Sequence, residues 1–94
     1  MTVLVVDKNQ LDVRRRRLIF RAWHRGIREM DLILGHYVDA HIVGMNDKTV
    51  SQLEHIMSFD DRDLLMWITG EVLPPSEVEG PLFRDIVNYH VCIN

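Results

Sequence analysis

The sequence predicts an all-α protein, a small antiparallel five-helix bundle, and three observations carry that prediction. Apolar residues recur every three or four positions through most of the chain. Asn46 and Asp60 or Asp61 stand before such runs as natural N-caps, and Gly26, Gly44 and Gly70 punctuate their ends. No stretch shows the apolar–polar alternation of a half-buried strand.

The first helix begins at Asp12. Leu18, Ile19, Ala22, Trp23 and Gly26 fall on one side of it at helical spacing, with Arg14, Arg17, Arg21 and Arg25 on the other, which makes an amphipathic helix with a basic back. After Gly26 the period resumes in Met30, Ile33, Leu34, Tyr37, Val38, His41, Ile42 and Met45, the clearest helical pattern in the chain. Asn46 caps a third helix running to about Met57, with Asp47 at the positive end of its dipole and Val50, Leu53, Ile56 and Met57 on its apolar face. A fourth, short helix holds Leu64, Leu65, Trp67 and Ile68 and stops at Gly70. "LPPSE" then forces an extended turn, because proline excludes the helical conformation from the residue before it, and Ser76 starts a last helix through Leu82, Phe83, Ile86 and Val87. Residues 1–11 lack helical period and read as a flexible N-terminal arm, leaving residues 12–94 as a single helical domain.

Composition narrows the function classes. A chain of 94 residues, 47% apolar and 27% charged, is long enough for one core and too evenly charged for wholesale disorder. Cys92 is the only cysteine, so no internal disulfide and no multi-cysteine zinc site can form, which fits a reducing compartment. The run "VLVV" falls far short of the ~20 residues of a membrane span, and no signal or transit pattern is present; a bacterial cytoplasmic protein is expected. The net charge of −3 hides a division: eight of the eleven Lys and Arg but only Asp7 and Asp12 among the fourteen acids lie in residues 1–28, giving +6 there against −9 in the rest. Such asymmetry points to electrostatic recognition or to two halves that attract each other.

The stretch "HRGIREMD", His24 to Asp31, puts a glycine inside a helical pattern, where it costs roughly 1 kcal/mol relative to alanine. The cost disappears if Gly26 lies just past the end of the first helix in a left-handed conformation. His24 and Arg25 then sit at the negative end of one helix dipole, and Glu29 and Asp31 near the positive end of the next. A corner needs few charges, whereas this one gathers Arg21, His24, Arg25, Arg28, Glu29 and Asp31. Exposed salt bridges add under ~1 kcal/mol each, so a recognition surface explains the density better than folding does.

These residues resemble the family of small flavinylation (FAD assembly) factors of succinate dehydrogenase. The hallmark there is an arginine–glycine pair followed after two residues by glutamate, matched here by Arg25, Gly26 and Glu29, with Arg28 and Asp31 like family residues flanking it. The setting "RRRRLIFRAWHRGIREMDLILGHYVDAHI" and the later "FDDRDLLMWITG" extend the likeness over about residues 12–70; Arg62 stands where relatives often carry proline, and the tail from Leu73 is only loosely similar. The resemblance implies a five-helix protein that binds the flavoprotein subunit of succinate dehydrogenase, and in some bacteria that of fumarate reductase, promoting covalent attachment of FAD to a histidine there. By implication Arg25, Gly26 and Glu29, with Arg28 and Asp31, bind the partner, and the crowded corner adds His24 and Arg21 to that expected contact; FAD belongs to the partner, no cofactor being bound stably by this chain.

The chain shows no phosphate-binding glycine loop, no nucleophile paired with a base and no cysteine cluster, so it is expected to act by binding and not as an enzyme. His36 and His41 lie ~140° apart around a helix, and no metal site is expected. His41, Trp23 and Trp67 read as core residues, and Asp60, Asp61 and Asp63 as helix-capping acids. The rival reading takes "RRRR" with Arg21, Arg25 and Arg28 as a phosphate-neutralising strip of a nucleic-acid-binding or antitoxin-like regulatory protein; overall acidity and the lack of a second basic element oppose it. A monomer that pairs transiently is expected, since a corner offered to a partner is not hidden in a homodimer.

Overall fold

The computed structural model describes residues 11–93, without the side chains of 92 and 93, so residues 1–10 of the expected arm lie outside the described residues. Five helices follow in order: α1 Val13–Trp23, α2 Arg28–His41, α3 Asp47–Met57, α4 Asp61–Thr69 and α5 Pro81–Ile93, with a 3-10 turn Ile42–Gly44 after α2. There is no strand among the described residues.

Local chemistry sets most boundaries. Asp12, Asn46 and Asp60 are the N-caps of α1, α3 and α4, accepting hydrogen bonds from the backbone N–H of Arg15 (2.9 Å), Thr49 (2.8 Å) and Arg62 (3.1 Å). Gly70 ends α4 at φ +82°, a left-handed conformation that a Cβ penalises. Two boundaries differ from the sequence reading. The α-helical part of α2 stops at His41, and the periodicity out to Met45 is carried by the 3-10 turn, which still brings Met45 against the core. The last helix starts at Pro81, not Ser76: Val78 and Glu79 both donate to the Pro75 carbonyl at 3.0 Å in a turn, and proline suits a first helical position because its missing N–H would have no partner there.

Among the described residues seventeen buried apolar side chains form one cluster. It draws Leu18 and Ala22 from α1, Met30, Ile33, Leu34, Tyr37 and Val38 from α2, four residues from α3, Leu64 and Ile68 from α4, and Phe83 and Ile86 from α5. Helix α2 is central, meeting α1, α4 and α5, while α3 touches α1 and α5. Buried Gly35 lets α1 and α2 approach closely: a Cβ there would lie no more than 2.6 Å from three ring atoms of Trp23. The Trp23 indole N–H donates to Asp39 at 3.2 Å, and Trp67 packs edge-on to Phe59. Both tryptophans are partly buried against the core. His41 is half-buried as well, its Nδ1–H donating to the Tyr37 carbonyl at 2.8 Å and its ring lying between Tyr37 and Tyr89.

Candidate functional site

The corner between α1 and α2 is built from the end of α1 outward. The helix stops at Trp23 with His24 as its C-cap, and the His24 ring stacks on Phe20 at 4.0 Å while its Nδ1–H donates to the Phe20 carbonyl. Two helices are therefore present and not one continuous rod. Gly26, however, is not left-handed: Gly70 alone among the described residues has positive φ. The break falls three residues before the glycine, so the expectation that Gly26 supplies a left-handed cap is corrected.

The rest of the corner is held by an acid from another helix. Asp61, in the first turn of α4, accepts from Arg25 Nε through Oδ1 at 2.5 Å and from the Gly26 N–H through Oδ2 at 2.8 Å. The Arg25 guanidinium also donates to the carbonyls of Met57 (2.7 Å) and Phe59 (3.1 Å) at the end of α3, and the Arg25 N–H donates to Asp31 Oδ1. With 12% of the Arg25 and 16% of the Asp61 side chain exposed, this is the least solvated ion pair among the described residues. Arg25 thus fastens the α1–α2 corner to the α3–α4 junction; it is not part of an outward basic face. Asp61, read from sequence as a helix-capping acid, leaves that role to Asp60 and braces the corner instead. Two successive aspartates before one helix were the available signal, since only one can be the N-cap.

Gly26 itself is exposed, as are Arg21, His24, Arg28 and Glu29, whereas Asp31 is half-buried. Arg21, His24, Arg25 and Gly26 line one shallow depression with Phe20 and Asp61. Glu29 lies apart from it, at a hollow of about 350 Å³ between α2, α4 and α5 that includes Leu32, Ile33, His36 and Leu65. Arg28 lines neither. Space does not demand the glycine: a Cβ on Gly26 would meet only Asp61 Oδ2, at an ordinary 3.5 Å.

The charge division noted in the sequence is partly internal. Arg14 pairs with Glu54 (2.7 Å) and Arg15 with Asp47 (2.9 Å), both on α3, so half of the "RRRR" run is engaged within the fold. The hydrogen bond from Arg14 holds the Glu54 carboxyl below its ordinary range, and the Arg15 backbone N–H does the same for Asp12. Arg16 and Arg17 remain outward, which halves the basic strip available to a nucleic acid. Among the described residues no group of three His, Cys, Asp or Glu side chains is placed to hold a metal ion, and no helix is long and apolar enough to cross a membrane.

Comparison with known proteins matches residues 16–90 to the family model described as "Flavinator of succinate dehydrogenase". The chain is 37% identical over 82 residues to the FAD assembly factor SdhE of Acetobacter pasteurianus, covering 87% of this chain and 75% of that protein. It is 35% identical over 68 residues to the mitochondrial succinate dehydrogenase assembly factor 2 of Arabidopsis thaliana, covering 71% of this chain but 36% of the relative. To the protein of the same name from Schizosaccharomyces japonicus it is 30% identical over 76 residues, covering 80% of this chain and 53% of the relative. On the extent of the first two matches, the chain belongs to the succinate dehydrogenase flavinator family, a family of assembly factors and not of enzymes.

Proposed function

We propose that the protein binds the flavoprotein subunit of succinate dehydrogenase and promotes covalent attachment of FAD to it, with the flavoprotein of fumarate reductase as a second target. The observation that carries this reading is Gly26. It is exposed, lacks positive φ and has room for a Cβ, so neither its backbone nor its packing requires glycine. A bare backbone on a braced corner suits close approach by another protein. Arg25 and Asp61 hold that backbone in place, Glu29 offers a carboxylate for a directed charged hydrogen bond, and Arg21, His24, Arg28 and Asp31 complete the contact.

The protein acts by conformational bias. Flavin and flavoprotein carry the chemistry between them, and the assembly factor binds more tightly to the arrangement in which the acceptor histidine and the flavin ring are aligned. A preference of ~3 kcal/mol for that arrangement raises its population ratio more than a hundredfold. FAD stays with the partner, the factor binds no cofactor of its own, and it works as a monomer in the bacterial cytoplasm. The five helices are taken as an antiparallel bundle that presents the corner at one end.

Purified flavoprotein subunit incubated with FAD should gain covalent flavin, read by in-gel fluorescence, faster with the wild-type protein than alone. Gly26→Arg and Glu29→Ala should remove most of that acceleration while staying folded. Equal rates with folded variants would refute the assignment of those two residues.

A further inference from the structure

Apart from Phe20, on which the His24 ring stacks, and Arg21, which also borders the corner, the outward stripe of α1 takes part in none of the interactions above. Val13, Arg16, Arg17, Phe20 and Arg21 lie three or four residues apart along it and line a shallow depression. Phe20 is 62% and Val13 51% exposed, large values for apolar side chains on a helix whose inner face is buried. Arg16, Arg17 and Arg21 make no ion pair among the described residues, although Arg14, Arg15 and Arg25 on the same segment all do. Glu54, an acid that feels the charge of Arg21, is already bound by Arg14. Phe20 and Arg21 also belong to the depression over Gly26, so the stripe and the corner form one continuous surface.

Resting on the proposed function, we infer that this stripe is a second docking surface for the same flavoprotein, taking an acidic segment that carries an apolar side chain to cover Phe20. Charge decides the sign of the occupant: three guanidiniums without an ion pair among the described residues, on a protein of net −3, select an anionic partner and steer it into register with the corner. The apolar residues decide its class. An aromatic ring flanked by arginines is the composition of a protein contact centre, where Phe and Arg are enriched, and Arg14 and Arg15 have left too short a basic strip for a nucleic-acid backbone.

Binding of the purified flavoprotein subunit is measured at low and at moderate salt for the wild type, for the triple variant Arg16→Gln/Arg17→Gln/Arg21→Gln, and for Phe20→Ser, each checked for folding by circular dichroism. Wild-type affinity should fall as salt rises. The triple variant should bind about tenfold more weakly at low salt, the combined effect of three partly screened charge pairs, and should lose most of the salt dependence. Phe20→Ser should weaken binding several-fold with the salt dependence intact. If the folded triple variant binds the flavoprotein as tightly as the wild type with the same salt response, the inference is overturned and Arg21 is removed from the corner contact, while the roles of Gly26 and Glu29 stand. Failure of the wild type to bind at all overturns the proposed function and this inference with it. Preferential binding to duplex DNA or to anionic phosphatidylglycerol vesicles, lost in the triple variant while flavoprotein binding is unchanged, overturns the choice of occupant.

Discussion

Replacing Asp61 by alanine should cost about 3 kcal/mol of folding stability, although it removes only one carboxylate from a protein with many. The carboxylate accepts two hydrogen bonds, from Arg25 Nε and from the Gly26 N–H, and hydrogen bonds to charged groups contribute about 1.5–3 kcal/mol each. Breaking a buried ion pair by removing one partner costs about 3–5 kcal/mol, because the remaining charge is left without its counterion. Residual solvent at 12% and 16% exposure, and the Met57 and Phe59 carbonyls that still accept from Arg25, bring the effect to the lower end of that range. For a domain of this size the melting temperature should drop by about 15 °C. Urea unfolding followed by tryptophan fluorescence gives the midpoint and slope, and the slope should be unchanged. Asp61→Asn, which keeps one acceptor oxygen, should fall between the wild type and alanine. Arg84→Gln is the control: its pair with Glu79 lies at 2.5 Å but has 57% and 37% of its side chains exposed, so the midpoint should scarcely move. If Asp61→Ala and Arg84→Gln give the same midpoint, the Asp61–Arg25 pair does not hold the corner.

Three glycines should respond differently to alanine, and chemical denaturation of the single variants ranks them. Gly35→Ala forces a methyl into the Trp23 ring and should cost about 2–3 kcal/mol with a change in tryptophan emission, whereas Gly70→Ala at φ +82° should cost about 1 kcal/mol. Gly26→Ala should change stability by less than about 0.5 kcal/mol yet slow flavinylation, and a large loss of stability there would show that the fold itself needs the glycine. Acid should destabilise the protein through Glu54 and Asp12: both carboxyls bind protons less readily when folded, so their contribution is present above the ordinary carboxylate range and is lost as pH falls below it. Tyr37 acts in the opposite direction. Burial, with the 2.6 Å hydrogen bond to Asp85, raises its phenol above the ordinary value of 10.0, so that contribution is present below pH 10 and is lost as pH rises further; phenolate absorbance from one tyrosine should appear only on unfolding.

The sequence by itself determined the helices and where most of them begin. Periodicity and capping are local: an aspartate at position 12 or an asparagine at 46 needs only the N–H groups three residues on, and Gly70 needs only its own backbone. The same locality made the helix junction at His24, Gly26, Arg28 and Glu29 legible, and the structure leaves all four exposed, although it sets Glu29 and Arg28 outside the depression that His24 and Gly26 line. It misplaced what depends on neighbours at a distance. The start of α5 turned on whether Pro75 or Pro81 governed the turn, and the end of α2 on how Ile42 and Met45 meet the core. Only the tertiary structure decided which arginines face outward. Arg25 and Arg21 look alike along the chain, but Arg25 meets an aspartate 36 residues away and turns inward, while Arg21 meets none among the described residues and stays on the surface. Helical spacing fixes the direction of a side chain relative to its own axis; whether it ends against solvent or against a carboxylate depends on where packing puts the other helices.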